Sequence, residues 1–169
     1  MSLSMSQASL PVFTHALKNL STVLAKGKAH AEAKKLDESG LVNFRLFPDM
    51  LPFASQVRIA CDMVKGAGAR LAGIEPPKFE DNEKTFDELL ARVEKTLDFI
   101  STLAASQIDG SEAREITLTS PRGTMKFTGQ NYLFQFVLPN LYFHSATTYN
   151  ILRHNGVEVG KMDFLGKIQ

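Results

Sequence analysis

Residues 53–73 read FASQVRIACDMVKGAGARLAG and give the clearest indication of how this chain folds. Apolar residues recur there at steps of three and four, at Phe53, Val57, Ala60, Val64, Ala67 and Leu71. This spacing predicts one apolar face of an α-helix. The glycines of "GAGA" (66–69) lie inside the helical pattern, so we interpret them as sites where a neighbouring helix approaches closely, not as a phosphate-binding loop. Gly73 is expected to end the helix.

A first helix is expected before this stretch, over residues 10–35. Its apolar positions are Leu10, Phe13, Leu17, Leu20 and Leu24. Pro11 would then lie in the first turn, where its missing N–H has no helical partner. Turn residues follow in "LDESG" (36–40), and Asp49 is the expected N-cap of the second helix, with Pro52 in its unpaired first turn.

A long proline-containing connection, "IEPPKFEDNEK" (74–84), separates the second and third helices. Thr85 and Glu88 form a capping box at the start of the third helix. Its apolar positions are Phe86, Leu90, Val93, Leu97, Ile100 and Ala104. We expect this helix to end near Asp109 and Gly110, a pair typical of turns.

Strand character is confined to "REITLTSPRGTMKFT" (114–128), where apolar residues and threonines alternate on both sides of "SPRG". We predict a short β-hairpin packed on the helices, because an isolated hairpin is only marginally stable. A fourth helix is expected from about Gly129 to "HNG" (154–156). Pro139 should bend this helix, because it cannot donate a hydrogen bond to the carbonyl one turn earlier.

Four amphipathic helices with narrow apolar stripes predict an all-α protein, a four-helix bundle with a long connection between the second and third helices. The short β-hairpin would precede the fourth helix. With 169 residues and no internal repeat, the chain is expected to form a single domain over residues 1–169.

The composition bounds the classes of partner. Nineteen basic and eighteen acidic residues leave a formal charge of +1, which gives no electrostatic reason to expect nucleic acid or an anionic membrane. Cys61 is the sole cysteine, so no intrachain disulfide can form. No signal peptide and no apolar run of about 20 residues is evident, so we expect a cytoplasmic protein.

The four histidines separate when they are placed on their helices. His15 falls opposite the apolar stripe and should face solvent, His30 lies at a flank, and His154 suits the last turn of a helix. His144 alone lies on an apolar stripe, with Thr148 one turn later on the same face. His144 is therefore either a buried, hydrogen-bonded histidine or a ligand in a site at the bundle core.

Neither a metal centre nor a catalytic group follows from the residues alone. A zinc or nickel site needs three or four His, Cys, Asp or Glu ligands, and the other stripes offer no carboxylate or second histidine. Gln56 is the nearest polar residue and a poor ligand, while Cys61 is interpreted as a small buried residue. The chain contains no GxSxG, HExxH, CxxC or P-loop motif.

Three stretches carry a family resemblance: "NFRLFPDMLPFASQV" (43–57), "LAGIEPPKFED" (71–81) and "YNILRHNGVEVGKMDFLG" (149–166). They are similar to a family of unknown function that is grouped with the DinB/YfiT-like four-helix bundles. The resemblance covers nearly the whole chain and implies a bundle that often forms homodimers. Many members of the superfamily bind a divalent metal through one histidine of helix two and an HxxxH pair of helix four, and some are thiol-dependent transferases or related enzymes.

Carried over to this sequence, the resemblance places His144 at the first position of the HxxxH pair and Thr148 at the second. Gln56 falls at or beside the histidine of helix two, so two of the three metal ligands are missing. We therefore expect no cofactor and predict a small-ligand pocket formed by Gln56, His144 and Thr148, with Arg45 and Asp49 at its rim.

The alternative is a divalent-metal-dependent transferase or hydrolase of the DinB/YfiT-like type. In that case His144 would bind zinc or nickel together with a partner that the sequence does not place, such as His154 or an acidic loop residue. Whether the protein is an enzyme is left open by the sequence.

Overall fold

The computed structural model describes residues 3–121 and 123–167, most of which are helical. The elements, in chain order, are α1 (Met5–Lys34), α2 (Glu38–Val42), α3 (Phe53–Ala72), α4 (Phe86–Ser101), α5 (Ala105–Ile108), β1 (Glu115–Ser120), β2 (Gly123–Thr128), α6 (Gly129–Asn131), a π-helical segment (Tyr132–Val137), α7 (Leu138–His154) and α8 (Lys161–Leu165). None of the described helices is long and apolar enough to cross a bilayer.

The four longest described helices, α1, α3, α4 and α7, contribute most of the buried apolar residues of the core. Helix α3 packs against α7 and α4, and α1 packs against α4, α7 and α8. Gly68 allows the close approach predicted for it, because a Cβ atom there would lie 2.6 Å from Cδ1 of Ile100 on α4. Gly66 instead leaves room for the side chain of Arg70 on its own helix.

Two helix starts differ from the sequence prediction. Helix α1 begins earlier because Ser4 forms a capping box with the residue three positions on, so Pro11 lies inside the helix, on its exposed side, and not in the first turn. The N-cap of α3 is Pro52 and not Asp49. The first amide of α3 is satisfied without a side-chain cap, since it donates to the backbone carbonyl of Phe44 (2.8 Å).

The helix bounds also differ from the prediction at two connections, the one after α1 and the one after α4. The turn predicted at residues 36–40 overlaps the short helix α2, whose N-cap Asp37 accepts a hydrogen bond from a backbone amide. Helix α4 begins at the predicted capping box of Thr85 but ends at Ser101, before the predicted end near Asp109. The hydroxyls of Ser101 and the next residue bond to carbonyls of the last turn, which competes with continuation of the helix.

The predicted β-hairpin is confirmed: β1 and β2 pair antiparallel, with Ile116 opposite Phe127. Arg122, in the predicted turn, lies outside the described residues. Ile116 is buried, and the ring of Phe127 contacts the rings of Tyr132 and Phe136, so the hairpin packs on the helical core as expected.

The fourth predicted helix is continuous from Gly129 to His154 but changes its hydrogen-bonding pattern before Pro139. Residues Tyr132–Val137 form a π-helix, and Pro139 lies in the first turn of α7. A π-helical segment shifts the ladder by one residue, which is a common way to accommodate an interruption within a long helix. Val157 and Val159, beyond α7, are buried, so the segment that follows this helix packs on the core.

Candidate functional site

His144 of α7 and Gln56 of α3 meet where these two helices pack. Nδ1 of His144 lies 2.6 Å from Oε1 of Gln56, and the Gln56 amide nitrogen donates to the backbone carbonyl of Leu51 (2.9 Å). Gln56 is 1% exposed and His144 is 9% exposed. His144 therefore points inward and is hydrogen-bonded, which is one of the two alternatives that its position on the apolar stripe allows.

This network fixes the tautomer of the imidazole. Because the Gln56 nitrogen is engaged with Leu51, the amide oxygen faces His144, and an oxygen without a proton can only accept. Nδ1 of His144 consequently carries the proton and donates. Burial lowers the pKa of His144 from its ordinary value of 6.5, so the neutral ring is favoured at neutral pH. Its Nε2 atom is then an unprotonated acceptor, with no hydrogen bond to another described residue.

Thr148 lies one turn after His144 and is fully buried. Its hydroxyl donates to the backbone carbonyl of His144 (2.9 Å), so it supports the helix and does not bond to the ring. The neighbouring Phe143 contacts the imidazole edge-to-face, with 5.2 Å between ring centroids, and is 57% exposed. Leu51, whose carbonyl holds Gln56, is 46% exposed. Apolar groups thus flank the His144–Gln56 pair near the surface.

Arg45 and Asp49, the predicted rim residues, are both exposed on the connection between α2 and α3. The guanidinium of Arg45 donates to the backbone carbonyl of Met50, which closes that loop on itself. This carbonyl is adjacent in sequence to Leu51. The loop that carries Arg45 and Asp49 therefore continues directly into the residue that holds Gln56, and neither side chain has a hydrogen bond to the pair.

The donor set at the pair does not fit the superfamily's metal. Gln56 Oε1 accepts a hydrogen bond from His144 Nδ1–H, and the Thr148 hydroxyl donates to a carbonyl, which leaves one imidazole nitrogen where three protein ligands are required. Within residues 3–121 and 123–167, no group of three or more His, Cys, Asp or Glu side chains could hold a metal ion. His154, considered as a partner of His144, is exposed and contacts the ring of Phe44 instead.

The other singled-out residues lie apart from the pair. His15 is exposed, as predicted, and its Nε2 atom donates to the backbone carbonyl of Leu165 (2.7 Å). His30 is half-buried on α1. Cys61 is fully buried, and the loss of hydration raises the pKa of its thiol to about 12, which makes it unreactive.

The Leu51 carbonyl is the contact at this site that the sequence analysis missed. It orients the Gln56 amide and thereby fixes the tautomer of His144. A backbone carbonyl has no sequence signature of its own. Pro52, which directs the chain into α3, is the nearest local signal.

Comparisons with known proteins agree with this architecture. A crystal structure of a DinB family member protein from Shewanella denitrificans is 40% identical and has a TM-score of 0.86, and the match covers 95% of this chain and 91% of that chain. No curated protein matches the chain. The model of the family described as "Domain of unknown function (DUF1993)" matches residues 5–165. The chain therefore belongs to the DUF1993 family and is similar to DinB family proteins.

Proposed function

We propose that this protein is a DinB-like four-helix bundle that binds a small molecule at His144 instead of a catalytic metal. The four-helix arrangement is supported by the packing of α3 on α4 and α7 and of α1 on α4. Binding without a metal is supported by one observation above all, the 2.6 Å hydrogen bond between His144 Nδ1 and Gln56 Oε1.

That hydrogen bond gives the ring a defined chemical capacity. A neutral imidazole held through Nδ1 presents Nε2 as a directed acceptor, suited to an N–H or O–H donor of a ligand. The exposed side chains of Leu51 and Phe143 provide apolar area beside it. The ligand class is therefore a small neutral molecule with one donor group and an apolar body, as expected for protein pockets that combine apolar walls with few polar groups.

Metal analysis of protein purified without an affinity tag tests the first part of the proposal. We expect zinc and nickel well below one equivalent per chain, both in the wild type and in His144→Ala. A full equivalent of either metal that disappears in His144→Ala would overturn the proposal in favour of a metal-dependent transferase or hydrolase.

NMR of protein with ¹⁵N-labelled histidine tests the second part. The His144 ring should give one protonated and one unprotonated nitrogen signal at neutral pH. In a screen of neutral alcohols and amides, a ligand should move the unprotonated signal, and binding should weaken in His144→Phe, which keeps a ring but removes the acceptor. If every ligand that binds retains its affinity in His144→Phe, binding at this residue is refuted.

We also propose that the protein forms a homodimer, as the resemblance implies, and that it resides in the cytoplasm, as its composition led us to expect. Exposed aromatic side chains on the π-helical segment and α7 support this, with Phe134 and Tyr142 exposed by 45% and 44%. Light scattering at micromolar concentration should give twice the chain mass of 18.7 kDa. A mass equal to that of one chain would exclude a tight dimer.

A further inference from the structure

A cavity of about 240 Å³ lies between α1, α7 and α8, in a different direction from the His144–Gln56 pair. Ala16, Leu20 and Val23 of α1 form one wall, and Phe164 and Leu165 of α8 form another. Ser145, next to His144 on α7, faces this cavity and is 5% exposed. The cavity is therefore mainly apolar, with a buried hydroxyl in its lining.

The hydroxyl of Ser145 has no hydrogen-bond partner among the described residues. Its neighbours on the same helix behave differently: Thr147 donates to the carbonyl of Phe143 (2.8 Å) and Thr148 to that of His144 (2.9 Å). Burying a hydroxyl without a partner costs free energy, so such a group calls for an explanation. A bound molecule that supplies the missing hydrogen bond would remove this cost.

Helix α8 forms a wall that is held by polar contacts to α1 and by a ring contact between Phe164 and Tyr149 of α7. Lys26 of α1 pairs with Asp163 (2.8 Å), and His15 donates to the carbonyl of Leu165 (2.7 Å). None of the described residues of α8 is fully buried. A wall of this kind can separate from α1 with little loss of apolar contact, which gives a small molecule a way in.

The chemistry of the lining defines the ligand. The described residues that line the cavity include no Lys, Arg, Asp or Glu, and Nε2 of His15, which also lines it, already donates to the carbonyl of Leu165. A charged ligand would therefore lose its hydration without a fully charged partner. An engineered apolar cavity of about 150 Å³ holds benzene, so the larger volume here suits a single ring with one or two substituents. The Ser145 hydroxyl can donate to or accept from one polar group on that ring.

We propose that the cavity between α1, α7 and α8 is a binding site for a neutral single-ring molecule whose polar group hydrogen-bonds to Ser145. This site is separate from the one proposed at His144, and neither depends on the other. The two can be tested independently, because Ser145 and His144 face different surroundings on α7.

Two probes of nearly the same shape test the role of the hydroxyl: 4-methylphenol, which carries a hydroxyl group, and 1,4-dimethylbenzene, which has a methyl group in its place. Dissociation constants are measured by NMR titration for the wild type, Ser145→Ala and Ser9→Ala. Ser9 is the matched control, because it is a fully buried serine of α1 whose hydroxyl already bonds to the carbonyl of Met5 (2.7 Å) and which does not line the cavity.

We expect both probes to bind the wild type, with shifts at the methyl groups of Leu20 and Val23 and not at Val64, which lies away from the cavity. Ser145→Ala should reduce the preference for the phenol over the hydrocarbon by about fivefold, the usual effect of one hydrogen bond. Ser9→Ala should leave the preference unchanged. Ala16→Leu, which fills the cavity, should weaken both probes while His144 keeps its wild-type ring signals.

Three results would overturn the proposal. The first is that neither probe shifts the Leu20 and Val23 signals at millimolar concentration, as expected if only water enters the cavity. The second is an equal probe preference in the wild type and Ser145→Ala, and the third is unchanged binding of both probes to a folded Ala16→Leu protein. In His144→Phe, the dissociation constants reported by the methyl groups of Leu20 and Val23 should equal those of the wild type. Binding of the phenol at His144 is reported separately by the ring nitrogens of that residue in the wild type, so failure of one site would not be mistaken for failure of the other.

Discussion

Two of the polar contacts that join helix α3 to its neighbours are opposite in character. Near its start, Gln56 makes a neutral hydrogen bond to His144 of α7. Less than two turns later, Asp62 meets Arg92 of α4, whose side chain is 2% exposed. The terminal nitrogens of Arg92 also bind Asp81 (2.9 Å) and Glu83 (2.8 Å) of the connection between α3 and α4.

The comparison separates a structural polar group from one that is available for binding. Both terminal nitrogens of Arg92 are occupied by carboxylates, which fasten the long connection to α3 and α4. His144 has one nitrogen engaged and the other free of described partners. A buried ion cluster is costly to form and costly to break, so it suits a fixed junction. A neutral ring with one open acceptor suits recognition.

The largest effect is expected from Arg92→Ala. Removing the cation leaves Glu83, whose side chain is 10% exposed, and Asp62 with fewer partners, and breaking a buried charge cluster typically costs about 3–5 kcal/mol in the free energy of unfolding. Urea denaturation measures the loss.

The control for Arg92 is Lys126→Ala, which removes one partner of an exposed pair with Glu115 on the hairpin (3.5 Å). It should change the free energy of unfolding by less than about 1 kcal/mol. Equal losses in the two variants would mean that the Arg92 cluster does not fasten the connection.

Gln56→Met is expected to have the next largest effect. The side chain keeps its length but no longer accepts from His144 Nδ1, and a buried donor left unpaired costs about 1–3 kcal/mol. In the double variant Gln56→Met/His144→Phe, both polar partners are replaced by apolar groups. Its loss, measured by urea denaturation, should therefore be smaller than the sum of the two single losses.

Additive losses in that cycle would show that the 2.6 Å contact contributes no coupling between α3 and α7. The single variant would then act through packing alone.

A smaller effect is expected from pH. Because burial lowers the pKa of His144 in the folded protein below its ordinary value of 6.5, the unfolded chain binds the proton more readily. The stability from the neutral ring is complete above about pH 6.5 and is lost as the pH falls toward the folded pKa. The unfolding free energy of the wild type minus that of His144→Phe should therefore decrease as the pH is lowered from about 7.5 to about 5.

The matched control is His30→Gln, which removes a half-buried histidine of α1 outside the pair. A pH-independent difference between the wild type and His144→Phe would contradict the burial of the neutral ring.

The smallest expected effect concerns Cys61, which lies between the two contacts on α3. Because burial raises the pKa of its thiol to about 12, the native protein should resist iodoacetamide at about pH 8, whereas the urea-unfolded protein should react readily. Mass spectrometry measures the labelled fraction. Faster labelling in Arg92→Ala than in Gln56→Met would locate the loosening at the α3–α4 junction, and rapid labelling of the native wild type would contradict the burial of this residue.

Local sequence patterns predicted most of the fold. The apolar stripes placed the four long helices, and the capping box at Thr85 and the glycine at residue 73 fixed two of their ends. The predicted starts of α1 and α3 were wrong, because more than one residue near each start could act as the N-cap. Ser4 starts α1 before Pro11 because its side chain forms a capping box with Gln7. Pro52 replaces the expected cap at Asp49 because the first amide of α3 donates to the backbone carbonyl of Phe44.

By itself, the sequence determined that His144 points inward, because the helical period assigns each residue to a face before any packing occurs. Only the tertiary structure decided which groups that ring meets. The Gln56 amide, the Leu51 carbonyl and the cavity beside Ser145 come together from distant segments, and contacts between such segments depend on how helices pack. The ion cluster at Arg92 could not be predicted from the sequence for the same reason, because its carboxylate partners lie on α3 and on the connection that follows α3.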